Sequence, residues 1–239
     1  MINYIYYKNE KASKTILLLH GWGVSSSYME SLKDYLKKDY SILLVDLPGH
    51  GKSDLEKVYG IEDYLNTLFM IVCKENITNL YGVGHSFGGK LLSFYSLKYK
   101  LNGMILLAPS SYKPRFSIIK FIKVTIYKIL KRLHLPIPSS LQGSRDYKNT
   151  SGLKRKTFLK VCHSYLKKEQ LKRIKIPTII VGFKDDKEVK KYQLKKLNRY
   201  IAHSKLFMYD GTHFSYFEHY SDIRKLLILL ERGKDNVYF

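Results

Sequence analysis

The sequence predicts an α/β fold built on a mainly parallel sheet, and three observations carry that prediction. Short, mostly continuous apolar runs recur along the 239 residues, helix-like segments separate them, and at "LYGVGHSFGGKLL" (80–92) a glycine-rich turn joins one run to one helix. Continuous apolar runs are what strands covered on both faces require, whereas half-exposed strands alternate. A chain of this length that is 45% hydrophobic can bury one substantial core, so a single domain with an insertion is expected over 1–239.

The elements follow in order. "NYIYYK" near the start predicts an antiparallel edge strand. Strands are expected at "TILLLH" (15–20), "YSILLVDL" (40–47), "NLYGVG" (79–84), "NGMILLAP" (102–109), "IPTIIVGF" (176–183) and "SKLFMYD" (204–210). Ser27 to Glu30 reads as a capping box opening the helix "YMESLKDYLKK", and "IEDYLNTLFMIVCKE", "GKLLSFYSLKYK" and "VKKYQLKKLNRY" carry apolar positions at helical spacing. Residues 110–175 contain no strand-like run, and a structureless loop of that length would be improbable, so a helical insertion is expected there. Within it "FSIIKFIKVTIYKILKRL" groups Ile118, Ile119, Ile122, Ile126, Ile129, Leu130 and Leu133 on one helical face, with Lys120, Lys123, Lys128, Lys131 and Arg132 largely on the other.

The formal charge of +22 is unevenly placed. From Tyr112 to Lys175 there are 18 basic and 2 acidic residues, a net +16, so the other residues contribute only +6. Such a concentration fits either plain solvated charge or an anionic partner. Cys73 and Cys162 are far apart and lack CxxC spacing, so neither a disulfide framework nor a zinc site is indicated, and two buried small hydrophobes are predicted. No targeting segment or membrane-length apolar run is evident, so a cytoplasmic location is the default expectation. Without ligand spacing among the eight histidines, a phosphate loop or a dinucleotide fingerprint, neither a metal nor a cofactor is predicted.

The crowded glycines at the turn have a geometric reason. A strand that turns sharply into a helix holds its pivot residue in a strained conformation, and bulky neighbours would clash. Gly84 and Gly88 remove that bulk in the G-x-S-x-G pattern Gly84-His85-Ser86-Phe87-Gly88, which lifts the Ser86 hydroxyl beside a helix N-terminus. Helix-terminal N–H groups there can stabilise an oxyanion.

"LLLHGWG", "LLVDLPGHGKSD", "GVGHSFGG" and "DGTHFSYFEH" occur in the order and approximate spacing of the α/β-hydrolase family, and with them nearly the whole chain resembles that family. The resemblance implies an α/β-hydrolase fold in which 110–175 forms a helical lid. It implies a Ser-acid-His order of catalytic residues, with Ser86 as nucleophile and His213 as its base. The acid should follow the "IPTIIVGF" strand, where the family shows G-x-x-D; Gly182-Phe183-Lys184-Asp185 fits, so Asp185 is favoured with Asp186 as its rival. The backbone N–H groups of Trp22 and Phe87 would form the oxyanion hole. His20 is expected to be a structural hydrogen-bonder, His219 structural or exposed, and Asp46, Pro48, Gly49 and Gly51 parts of a tight turn.

Such a site would cleave a carboxylic ester or thioester of a hydrophobic acyl group through an acyl-enzyme. The same fold also hosts lyases, haloperoxidases and carbon–carbon hydrolases. "HGWG" with "VDLPGHG" is similar to carboxylesterases that cleave methyl esters of carrier-bound acyl chains. The insertion helix is expected to turn its apolar face to the serine, making an acyl-chain pocket, and its basic face outward. An acidic carrier protein or an anionic membrane surface would suit that basic face; nucleic acid is disfavoured, since no recognition motif accompanies the charge. A binding module working through the basic lid is the competing class of function.

Overall fold

The computed structural model describes residues 1–141 and 144–232. Strands β1 (Tyr4–Tyr7), β2 (Thr15–Leu19), β3 (Ser41–Val45), β4 (Leu80–His85), β5 (Met104–Leu107), β6 (Thr178–Phe183) and β7 (Ser204–Tyr209) form one sheet in the order β1-β3-β2-β4-β5-β6-β7. All neighbours run parallel except β1, which pairs antiparallel with β3 at the edge. Each strand expected from the sequence is present.

The helices are α1 (Glu30–Leu36), α2 (Ile61–Lys74), α3 (Phe87–Tyr95), α4 (Ile118–Arg132), α5 (Arg145–Lys148), α6 (Gly152–Cys162), α7 (Lys168–Lys172), α8 (Lys191–Tyr200) and α9 (Tyr220–Arg232). The continuous apolar runs explain why both sheet faces are covered. Leu17 and Leu19 belong to one core with Leu65 and Leu68 of α2, Leu91 and Leu92 of α3, and Leu194 of α8. Their alternating neighbours Ile16 and Leu18 point the opposite way, into a second core with Leu32 and Leu36 of α1 and Leu226, Leu227 and Leu230 of α9.

Three expectations are corrected. The Ser27–Glu30 capping box does not form: the segment begins as a 3₁₀ turn over Ser26–Met29, Ser25 precedes it without a side-chain cap, and α1 starts at Glu30. The cysteines are not buried hydrophobes; Cys73 is exposed and Cys162 half-buried, because the adjacent Val72 and Val161 take the core-facing side at each helix end. Finally, α4 does not turn its isoleucine face inward. Ile118, Ile119, Ile122, Ile126, Ile129 and Leu133 are all exposed. Amphipathic spacing separates two faces of a helix but does not say which of them meets the protein.

Helices α4 to α7 all lie between β5 and β6, where the insertion was expected. Within this segment Val161 of α6 and Leu171 of α7 are buried in the first core, and α6 also meets the loops beside it. Its Phe158 packs on Trp22 at 5.2 Å between ring centres, and its Thr157 hydroxyl accepts the Tyr59 N–H at 3.1 Å.

Candidate active site

The register of the sheet gathers the candidate residues at the carboxyl ends of the strands, where parallel α/β sheets present their ligand crevices. Leu19 is paired with Gly84, so the "HGWG" loop leaving β2 runs beside the turn leaving β4. Phe183 is paired with Tyr209, so the loops after β6 and β7 emerge side by side.

Ser86 sits at the pivot between β4 and α3 with φ 51° and ψ −105°, a backbone conformation that L-residues rarely adopt. Backbone bonds hold it there: its N–H donates to Leu107 O at 2.8 Å, and its carbonyl accepts from Lys90 at 3.0 Å and Ser110 at 3.1 Å. The flanking glycines are required by close approach. A Cβ on Gly84 would lie 2.6 Å from the carbonyl carbon of Gly88, and one on Gly88 would collide with the Leu19 carbonyl of β2. Gly21 of the "HGWG" loop is also near, since a Cβ there would stand 3.4 Å from Ser86 Cβ and 3.0 Å from His85 Nδ1.

The carboxylate that meets His213 is Asp186, not Asp185. Asp186 Oδ2 lies 2.8 Å from His213 Nδ1, while its Oδ1 accepts the N–H groups of Glu188 at 2.7 Å and Val189 at 2.9 Å. Burial alone would raise this carboxyl, but the bond from His213 and the two backbone donors outweigh it and hold it below the ordinary carboxylate range. The physical reason for the one-residue shift is a turn after β6 in which Asp186 N–H reaches back to Phe183 O at 3.4 Å. That turn leaves Asp185 exposed, with its own N–H on Gly211 O at 2.9 Å.

His213 is placed by a residue the sequence reading did not single out. His85, fully buried next to Ser86, donates from Nε2 to the His213 carbonyl at 2.9 Å, and the two rings lie 4.7 Å apart. Burial pushes the His85 imidazole down to about 3, so it stays neutral, and the acceptor on Nε2 fixes the proton there. The signal was the histidine inside Gly-His-Ser, hidden by its proximity to the serine. With Nδ1 engaged by Asp186, His213 Nε2 has no hydrogen-bond partner among the described residues, and Ser86 Oγ is not bonded to it.

The expected structural roles also hold geometrically. His20 uses both ring nitrogens, donating from Nδ1 to Gly21 O at 2.7 Å and accepting the Leu47 N–H on Nε2 at 3.0 Å. Asp46 accepts from Ser26 and Lys52 backbone N–H groups and from Asn3 Nδ2, tying down the turn after β3. His219 pairs with Asp222 at 3.2 Å, away from this cluster. Trp22 and Phe87 stand together with ring centres 5.4 Å apart, and Phe87 opens α3, so its N–H is one of the helix's unpaired first donors. Trp22 also meets His50 edge-on at 4.6 Å; both Trp22 Nε1 and His50 Nε2 are buried without a hydrogen-bond partner among the described residues.

Lys90, one turn into α3, is another residue that the motif reading passed over. It is 2% exposed, and its Nζ donates to Val161 O at the end of α6 at 3.3 Å and lies over the Tyr165 ring at 4.7 Å. No carboxylate is paired with it among the described residues, and burial lowers its ammonium to about 8. Two hollows elsewhere, one along Lys14, Asp39 and Arg224 and one along Tyr112, Arg115 and Tyr192, include neither Ser86 nor His213.

The family model described as "Alpha/beta hydrolase family" matches residues 16–224, most of the chain and every strand but the edge one. The chain belongs to the alpha/beta hydrolase family. Among curated relatives of this hydrolase is a Mycoplasma pneumoniae protein that carries an esterase/lipase name, 27% identical over 90% of this chain and 88% of its own length. A pimeloyl-[acyl-carrier protein] methyl ester esterase of Wigglesworthia glossinidia brevipalpis is 31% identical over a shorter stretch, 41% of this chain and 37% of that protein. In fold, the hydrolase is similar to MenH from S. aureus, with a TM-score of 0.74 at 19% identity over 99% of this chain and all of the other. It is equally close to an esterase from Exiguobacterium antarcticum, with a TM-score of 0.73 at 18% identity over 96% of this chain and 94% of that one.

Proposed function

We propose that this hydrolase is a serine esterase or thioesterase acting on a hydrophobic acyl group, with Ser86 as nucleophile, His213 as general base and Asp186 as the residue that orients it. The observation that carries the reading is the 2.8 Å contact between Asp186 Oδ2 and His213 Nδ1 on a loop held to the residue preceding Ser86. Asp186 accepts the Nδ1 proton, so Nε2 is the basic nitrogen available to the serine. The missing Ser86–His213 bond is compatible with this, because such bonds often tighten only when substrate is bound.

In this reading Ser86 Oγ attacks the acyl carbonyl carbon as His213 Nε2 takes its proton. The tetrahedral oxyanion receives hydrogen bonds from the Phe87 N–H at the start of α3 and the Trp22 N–H of the "HGWG" loop. Its collapse breaks the bond to the leaving alcohol or thiol, which takes the proton from His213. Water, deprotonated by the same nitrogen, then attacks the acyl-enzyme; the acid leaves and Ser86 regains its proton. The half-buried Trp22 and Phe158 rings, 5.2 Å apart, would supply apolar surface for an acyl chain beside these donors.

A substrate carried by an acidic protein is the second reading. It is favoured by the similarity to a pimeloyl-[acyl-carrier protein] methyl ester esterase and by the basic run Lys154, Arg155, Lys156 and Lys160 on α6, the helix that touches Trp22. A p-nitrophenyl ester series from short to long acyl chains tests the activity, with a serine-directed phosphonate mapped by mass spectrometry. Turnover that disappears in Ser86→Ala, with the phosphonate on Ser86, is the expected result. Wild-type silence across the series and no adduct at Ser86 would overturn it.

A further inference from the structure

Helix α4 presents an apolar arc to solvent that no part of the described protein covers. Ile118, Ile122, Ile126, Ile129 and Leu133 fall within about a quarter turn of one another at the helical repeat. They remain 67, 50, 41, 52 and 59% exposed, and Ile119 beside them 70%. On the opposite side Tyr127 is half-buried and meets Tyr147 of α5, which fixes which face turns inward. At 15 residues the helix is roughly 22 Å long, so the arc is much larger than the scattered apolar side chains of an ordinary soluble surface.

The charge around the arc has one sign. Lys123, Lys128, Lys131 and Arg132 are exposed and form no ion pair among the described residues, and between Tyr112 and Arg145 the sequence contains no Asp or Glu. At the helical repeat Lys123 and Arg132 flank the arc, with Lys128 and Lys131 further round, and an apolar stripe flanked by unpaired cations is the composition of a helix that lies in the plane of a bilayer interface. No helix among the described residues is long and apolar enough to cross a membrane.

We propose that α4 docks this protein on a membrane surface rich in anionic lipid, its isoleucine arc seated among acyl chains and its lysines among the headgroups. A second copy of the chain is a poorer occupant, because pairing two such arcs would bring two cationic rims together on molecules that each carry +22. An acidic protein would satisfy the lysines, but a bilayer satisfies both the charge and the continuous aliphatic surface. The inference does not depend on the catalytic reading.

The test is co-sedimentation of the full chain with vesicles of phosphatidylcholine alone and of phosphatidylcholine with roughly one third phosphatidylglycerol. The expected result is partitioning at least about tenfold stronger on the anionic vesicles, reduced by a similar factor at high salt. Ile122→Gln with Ile129→Gln should lower binding about tenfold, and Lys123→Gln with Arg132→Gln should bring anionic vesicles close to the neutral ones. These side chains are exposed, so unchanged melting temperatures verify that the variants fold. Absence of vesicle binding by the wild type, or equal binding to both compositions, overturns the proposal. So does a concentration-dependent dimer, seen by sedimentation velocity without lipid, that the isoleucine variants abolish. Loss of soluble-ester turnover in those variants with vesicle binding intact would place the arc at the active site instead.

Discussion

His85 Nε2 donates to the backbone carbonyl of His213 at 2.9 Å, so the residue preceding the candidate nucleophile holds the loop that carries its candidate base. The bond is half-buried, and replacing His85 with Phe would leave the His213 carbonyl without its donor, at a cost of about 1 kcal/mol or more. His85→Phe should lower kcat on a soluble ester at least about tenfold with KM nearly unchanged, as expected of a positioning residue. A purely structural role would lower the melting temperature and leave the kcat of the folded fraction intact.

Asp186 and Asp185 separate cleanly by substitution. Asp186→Asn removes the acceptor that selects the His213 tautomer, and a fall in kcat on the order of 10³–10⁴ is expected by analogy with other serine triads. Asp185→Asn, at an exposed position, should stay within about twofold. Steady-state kinetics on both variants decides between them, and the reverse pattern would return the acid role to Asp185.

Lys90 makes stability depend on pH in a defined direction. Its folded ammonium is lowered to about 8 from 10.5, so between those values the unfolded chain binds more protons than the folded one, and stability rises with pH. Over the whole window the gain is about 3 kcal/mol. Urea midpoints should rise between pH 8 and pH 9.5 in the wild type, as the ~2.303RT slope per proton requires. Lys90→Met should flatten that rise and be more stable near neutral pH, because it buries no charge. Parallel profiles for the two proteins would refute this account.

Gly84→Ala tests the elbow itself. Its added methyl would press on the Gly88 backbone at 2.6 Å, where no flexible side chain can yield. A loss of about 1–3 kcal/mol or more is expected in urea unfolding, together with loss of phosphonate labelling at Ser86. Wild-type stability and labelling would mean that the close approach at this turn is not needed.

Much of this site is written in short stretches of sequence. Gly84, Ser86 and Gly88 could be read because a tight strand-to-helix turn needs small residues at fixed offsets, and the structure holds Ser86 at φ 51° there. His213 was named from its motif, and it is the histidine that meets Asp186. Asp186 was not, because G-x-x-D and G-x-x-x-D differ by one turn residue, and only the Asp186-to-Phe183 bond after β6 decides which carboxylate is buried. His85 and Lys90 were missed for a related reason: their importance lies in partners 128 and 71 residues away.

Local sequence was enough for the seven strands, for α1 to α4 and α8, for the glycine-flanked serine and for the cationic, amphipathic character of α4, since each depends on neighbours within a few residues. The tertiary structure decided which aspartate reaches His213, that Cys73 is exposed, that α6 rather than α4 packs against Trp22, and that the isoleucines of α4 face solvent. Those choices depend on how elements distant in the chain pack together, and local periodicity fixes the faces of a helix without fixing its orientation.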